Sequence, residues 1–314
     1  MSSDDSIAAS RRGVLKCLAF GGAGTLFSLA GGVLAPLDLA LAATKGRKSA
    51  MLDAPLFVQI SDTHIGFNKE ANPDVAGTLK QTIDLVNAMP VKPAFIVHTG
   101  DITHLSKASE FDTAAQLLSE LEVTELHTTP GEHDMADASA SEYFNRYGKA
   151  SANRGYYSFD TRGVHFVGLI NVLNFKPNGL GALGSQQLEW LEADLKGRSA
   201  STPIVVFAHM PLWTIYEPWG WGTGDADQMT SYLRRFGSVT VLNGHIHQIV
   251  QKVEGNLTFH TARSTAFPQA TAGNGPAPGP LKVPAEQLQK MLGLSSVTLK
   301  RHPSTLALTD STLA

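Results

Sequence analysis

The sequence predicts an α/β fold of two packed β-sheets flanked by helices, and three observations carry the prediction. Short apolar runs rich in β-branched residues, at 56–60, 94–97, 124–129, 204–208 and 239–242, have the length and composition of buried strands. Stretches with helical spacing of apolar residues lie between most of them, the alternation expected of parallel pairing. Two further hairpins bring the strand count above what one sheet comfortably holds, so the strands divide between two sheets.

Taken in order, residues 1–42 differ from the rest. Ser10-Arg11-Arg12-Gly13-Val14-Leu15-Lys16 leads into a Gly/Ala/Leu-rich stretch from 17 to 41, and Ala40-Leu41-Ala42 has the small-residue pattern that a signal peptidase cuts after. The paired arginines resemble a twin-arginine export signal, with Val14 where Phe is more usual. The reading is a cleaved twin-arginine-type leader that engages the export machinery and places the chain in the periplasm. An uncleaved membrane anchor is the alternative, and the leader is then the only membrane contact. The single cysteine, Cys17, falls inside the leader, so a mature chain starting at Ala43 has no disulfide.

Residues 43–51 read as a polar basic linker, and 52–314 as one folded domain. Helical patterns occupy 75–88, 109–121, 141–147, 185–195 and 227–236. Residues 156–161 and 165–169 form a hairpin pair around Arg162-Gly163, and 252–254 with 257–261 another around Gly255-Asn256. The Gly/Pro-rich stretch 268–284 is irregular, and a helix at 285–292 and a strand at 296–301 finish the domain. The 314 residues are 43% hydrophobic and 17% charged with a net charge of -3, a globular balance with no basic field for nucleic acid.

Chemistry concentrates where the apolar runs end. Asp62-Thr63-His64, Gly100-Asp101, Gly131-Glu132-His133-Asp134, His209 and Gly244-His245-Ile246-His247 each follow one run. Loops beyond the carboxyl ends of parallel strands converge on one crevice, so these clusters can meet. Asp62 and His64 are two apart and point the same way on an extended strand end, and His245 and His247 repeat that alternation. Carboxylate with imidazole suits Mn, Fe, Zn, Co or Ni better than Ca or Mg. About seven candidate ligands oversupply one ion, whereas two ions about 3.5–4 Å apart can share a carboxylate.

In that order the clusters resemble the calcineurin-like metallophosphoesterases, whose pattern runs Asp-x-His, Gly-Asp-x-x-Asp/Asn, Gly-Asn-His-Asp/Glu, His, Gly-His-x-His. The resemblance spans roughly residues 57–267. It implies a four-layer αββα sandwich of two mixed sheets and a centre of two metal ions, with Mn, Fe or Zn expected. By motif, Asp62, His64 and His247 hold one ion, Asp101 bridges, and His209 and His245 hold the second, to which Glu132, in place of the family's Asn, can still ligate through oxygen. It also implies a metal-dependent phosphoric ester hydrolase acting on small-molecule phosphate esters, in which a metal-bound hydroxide attacks phosphorus and His133 protonates the leaving oxygen. Phosphodiesters are favoured over phosphomonoesters. A broad-specificity phosphomonoesterase is the enzymatic alternative, and a metal- or ligand-binding protein with little turnover is the alternative from another class.

Two positions depart from the family pattern. Glu132 stands where the family has Asn, which adds negative charge, tightens the second metal and weakens attraction for phosphate. His104 stands where many members carry the carboxylate that orients the acid, and it can hydrogen-bond Glu132 instead. For substrate, the loop after His209-Met210-Pro211 offers Trp213 and Trp219 to overhang the crevice and stack on a nucleobase, aryl or lipid-like group. Asp225 and Asp227 in that loop disfavour a polyanion. Arg263 is the candidate phosphate-binding cation, in a segment, 260–267, that resembles the bacterial cyclic-nucleotide phosphodiesterase branch. Asn171 and the run 179–184 are expected on the far wall.

Overall fold

The computed structural model describes residues 55–136, 140–173, 179–301 and 304–314, and three short strand segments nearer the N-terminus. The chain forms two compact units, 1–51 and 52–314. In the first, Phe20–Gly21, Thr25–Ala30 and Val33–Pro36 pair antiparallel in chain order. The arginine pair, Cys17, the small-residue pattern at 40–42 and the linker lie outside the described residues.

The second unit runs β1 (Phe57–Ile60), α1 (Val75–Asn87), β2 (Phe95–His98), α2 (Ala108–Leu118), β3 (Leu126–Thr128), α3 (Ser141–Tyr147), β4 (Tyr157–Thr161) and β5 (Val164–Gly168). It continues through α4 (Ser185–Leu195), β6 (Ile204–Phe207), α5 (Ala226–Leu233), β7 (Val239–Asn243), β8 (Gln251–Glu254) and β9 (Leu257–Thr261). It ends with α6 (Ala285–Met291), β10 (Gly293–Arg301) and β11 (Ser304–Thr312). One sheet has the order β11-β10-β1-β2-β3, parallel from β1 to β3, with β10 antiparallel to β1. The other has the order β8-β9-β7-β6-β5-β4, parallel from β9 to β5 and antiparallel at both edges.

Side-chain alternation along the strands builds the layers. Phe57 and Phe95 face the second sheet and pack against Phe166, Val205, Phe207 and Leu242, all buried. Val58, Ile60 and Ile96 point the other way, onto Leu79 and Ile83 of α1 and Phe111 and Ala114 of α2. On the far side Val167, Val206 and Val241 meet Leu188 and Leu191 of α4 and Met229 and Leu233 of α5. Sheet lies on sheet with helices outside, a four-layer αββα arrangement. Each fully buried Phe in the middle layer contributes on the order of 1.5–3 kcal/mol relative to leaving it in water.

Differences from the sequence reading are local. The strand expected at 124–129 pairs only over Leu126–Thr128, and the helices expected at 109–121 and 227–236 stop at Leu118 and Leu233. β10 starts at Gly293, three residues before the expected strand. β11, an edge strand added antiparallel to β10, is absent from the sequence reading. Its Ser, Thr and Leu alternation is too weakly apolar to register as a buried run, and its partner strand supplies the hydrogen bonds that define it.

Candidate metal centre

Parallel pairing continues past the strand ends and ties the clusters together. Asp62 N–H donates to Gly100 O at 3.0 Å, His64 N–H to Asp101 O at 2.9 Å, and Gly244 N–H to His209 O at 2.9 Å. The expectation that Asp62 and His64 converge because the strand is extended is incorrect. Both residues take positive φ, 55° and 41°, as do Asp101 at 53°, His245 at 71° and His247 at 54°. Left-handed turns at five non-glycine residues aim the side chains inward. Such backbone costs about 1–3 kcal/mol per residue and persists where surroundings over-determine it. Close approach also explains the glycines: a Cβ on Gly244 would meet Asp62 Oδ2 at 2.6 Å, and one on Gly100 would meet His209 Nδ1 at 2.6 Å.

The result is two donor groups that share a wall. Asp62, His64 and His247 converge in one, and Glu132, His209 and His245 in the other. His64 Nε2 and His247 Nε2 are 3.2 Å apart, and His247 Nε2 is 3.3 Å from Asp62 Oδ1. In the second group Glu132 Oε2 lies 2.9 Å from His209 Nε2, and Glu132 Oε1 lies 3.0 Å from His245 Nδ1. Asp101 Oδ2 sits between them, 3.5 Å from His64 Nε2 and 3.3 Å from His209 Nε2. Ligands about 2.0–2.2 Å from one cation are themselves about 3–3.5 Å apart, so both groups have the spacing of a coordination shell.

Hydrogen bonding behind the site supports this. His209 Nδ1 donates to Thr99 O at 2.7 Å and His247 Nδ1 to Phe267 O at 2.6 Å, which leaves both Nε2 lone pairs facing the centre. Glu132 Oε2, His209 Nε2 and His245 Nδ1 are buried and make no hydrogen bond. One ligand atom from each of these residues lies within 4.8 Å of the other two, close enough for one cation to serve all three. Buried unpaired polar atoms cost free energy that a shared cation would recover. The residues present fit a pair of metal ions.

Electrostatics follow the same contacts. Burial alone would raise Asp62, but His247 and His209 beside it hold its carboxyl below the usual carboxylate range. Burial opposes ionisation of Glu132 too, and His245 and His209 outweigh it, so its carboxyl falls well below that range. Burial pushes His64 well down, helped by His133, His247 and His104. For His133 burial acts downward, but the Asp101 and Glu132 carboxylates dominate and raise it.

A crevice of about 320 Å³ opens onto the centre, with His64, Asp101, Glu132, His133 and His245 on its floor. His104 and Trp219 line it as expected from the sequence. His104 does not bond Glu132, however. Its Nδ1 lies 3.3 Å from His64 Nδ1, its carbonyl accepts from His133 Nδ1 at 2.7 Å, and its ring stacks on His133 at 4.8 Å. The i+3 position after Asp101 thus orients two histidines, one through the ring and one through the backbone.

Other expectations are corrected. Trp213 is half-buried and packs against Phe259 of the second sheet, ring centroids 5.2 Å apart, and is not among the crevice lining. Arg263 donates to Lys290 O at 3.0 Å, at the end of α6, and is not among the crevice lining. Asp225 accepts from Leu183 N–H at 2.9 Å and Gly184 N–H at 2.8 Å, so it pins a loop and is not among the crevice lining. Asn171 is buried and donates to Met210 O and Thr223 Oγ1, and Gly181 N–H donates to Gly222 O; neither forms a crevice wall. Trp221, in the same aromatic loop as Trp219, also lines it, whereas Phe267, Gln269 and Pro278–Pro280 are lining residues that the sequence did not point to. The irregular Gly/Pro stretch carried no pattern that could have placed the last three.

The calcineurin-like phosphoesterase profile matches residues 55–249, which hold all seven donors. The chain belongs to that family. Calcineurin-like phosphoesterases are metal-dependent hydrolases, and the family implies two metal ions at this centre. Relatives include a probable glycerophosphodiester phosphodiesterase from Arcobacter nitrofigilis, 24% identical over 225 residues that cover 67% of this chain and 78% of the relative. A zebrafish (Danio rerio) serine/threonine-protein phosphatase, CPPED1, is 26% identical over 61% of this chain and 70% of its own. Among solved structures, a dimetal phosphatase from Danio rerio superposes with TM-score 0.64 at 16% identity, over 83% of this chain and 97% of that one. A purple acid phosphatase from yellow lupin gives TM-score 0.56 at 14% identity, covering 82% of this chain and 51% of that chain. At these identities the structural likeness shows the fold.

Proposed function

We propose that this calcineurin-like phosphoesterase hydrolyses phosphodiesters of small molecules, with Asp62, His64, Asp101 and His247 at one cation and Asp101, Glu132, His209 and His245 at the other. The observation that carries the reading is Asp101 Oδ2, within 3.5 Å of a donor from each group, beside three buried atoms with no other partner. Mn, Fe or Zn suits these donors. Two such ions lower the pKa of bound water and neutralise phosphoryl charge.

The chain's own residues do the rest. Asp101 Oδ1 accepts the His133 backbone N–H at 2.9 Å, so the carboxylate that joins the two groups also positions the acid. With Nδ1–H held on His104 O, His133 carries its exchangeable proton on Nε2 at the crevice floor, where it meets the leaving oxygen. Substrate charge favours the diester. Three carboxylates, Asp62, Asp101 and Glu132, face the centre, and no Lys or Arg is among the described lining residues. A diester brings one negative charge where a monoester brings up to two. The name of the Arcobacter relative, a probable glycerophosphodiester phosphodiesterase, agrees with this preference. Residues 1–42 are assigned to twin-arginine export into the periplasm with cleavage after Ala42.

The test is hydrolysis of aryl mono- and diesters by the chain loaded with Mn, Fe or Zn. Diester preference is expected. Monoester preference would instead make it a phosphomonoesterase, and metal uptake without turnover a binding protein. Exchanging Arg11 and Arg12 for Lys should keep the chain out of the periplasm; normal export of that variant would refute the leader assignment.

A further inference from the structure

Two places in the crevice lining differ in chemistry. At one, His133 and His104 lie against His64, with the His133 and His64 rings 4.8 Å apart. At the other, Gln269 donates from Nε2 to His245 O at 2.9 Å, and Trp219 and Trp221 pack on Ile246. The proton donor for a leaving group is therefore beside His64, on which Phe267 also stacks at 4.8 Å. The two tryptophans form a wall beside Ile246, between His245 and His247.

That wall holds two unused polar atoms. Trp221 is 1% exposed and Trp219 5% exposed. Trp221 Nε1 and Gln269 Oε1 are both buried without a hydrogen-bond partner, although both residues line the crevice. A buried indole N–H and a buried amide oxygen normally find partners. One donor and one acceptor left over on a single wall, beside tryptophan rings, are complementary to a flat group whose edge carries an acceptor and a donor. No Lys or Arg among the described lining residues would pair an anion there.

We infer that this wall is a subsite for the ester group that a phosphodiester retains after hydrolysis, and that it selects a neutral aryl or heteroaryl group with a hydrogen-bonding edge. The inference rests on the phosphodiesterase reading above and gives it a specificity. A monoester has no second group to place against the tryptophans.

Three diesters with the same 4-nitrophenolate leaving group test it, the other ester being methyl, phenyl or 3-carbamoylphenyl. With the metal-loaded chain, KM should fall about tenfold from methyl to phenyl and about fivefold further for 3-carbamoylphenyl. Trp221→Phe should erase the carbamoyl gain. Trp219→Phe, a second variant in case the first folds poorly, should shrink the phenyl gain; far-UV circular dichroism and metal content check both proteins. Equal KM for methyl and phenyl, or tighter binding of 4-nitrophenyl phosphorylcholine than of the phenyl diester, overturns the inference. So does a carbamoyl gain that survives in a folded Trp221→Phe chain. If no ester is hydrolysed, the phosphoesterase reading fails separately, and the same ladder is then read as dissociation constants by calorimetry.

Discussion

Glu132→Asn is the most informative single substitution, because it perturbs one donor group and leaves the other intact. Glu132 reaches His209 Nε2 at 2.9 Å and His245 Nδ1 at 3.0 Å, and it has no contact with Asp62, His64 or His247 among these donor pairs. Replacing the carboxylate by a shorter neutral amide removes one negative charge from the second cation's surroundings. Losing an outer partner of a metal ligand already costs about 10–100-fold in affinity, so the loss of a directly facing carboxylate should cost at least that. The equivalent is about 1.4–2.8 kcal/mol. In a folded unit of this size that lowers Tm by roughly 3–11 °C at limiting metal. Competition with a coloured chelator should resolve two binding steps in the parent chain, with only one of them displaced in the variant. Both sites should still fill at high metal, and diester turnover at saturation should equal or exceed the parent's, since one fewer charge opposes the phosphate. Two unchanged affinities would mean that Glu132 is not a ligand. Abolished metal uptake would mean that the position does not tolerate the family's amide.

Three further outcomes are expected. His133→Ala should cut kcat by about 10²–10⁴-fold on methyl phenyl phosphate but much less on methyl 4-nitrophenyl phosphate, whose leaving group needs no proton; equal losses would remove His133 as the acid. His98 is buried, bonded to Thr63 Oγ1 and Gly100 N–H, and pushed down to about 3 by burial. Its neutral form therefore stabilises the fold fully above the unfolded value of 6.5, and that contribution is lost as pH falls towards about 3. His98→Gln, which keeps a donor and an acceptor, should flatten the fall in metal-free urea stability between pH 7 and 4.5 by about 2–3 kcal/mol, and an unchanged slope would refute the assignment. Asn243 donates to Ala208 O and Met210 O, both at 2.9 Å, and so brackets His209. Asn243→Ala should cost about 2–5 kcal/mol in urea unfolding and weaken metal binding at the His209 group selectively; equal weakening at both groups would make its role purely structural.

The sequence alone determined the strands that end in chemistry, the helices between them and the residue types of both donor groups. These are legible because periodicity and strand-end position are local properties: β1, β2, β6 and β7 are short buried runs, and each delivers its ligands within a few residues of its last paired residue. Only the tertiary structure decided how the ligands aim. Asp62, His64, Asp101, His245 and His247 point inward through left-handed turns held by cross-strand bonds and close glycine contacts, which no alternation pattern encodes. The substrate side depended on it still more. Trp213 and Trp219 sit six residues apart in one loop, yet one packs on Phe259 and the other lines the crevice with Gln269 and Pro280. Which side a loop residue faces is set by the segments that return over it from far along the chain, and that long-range packing leaves no local signature.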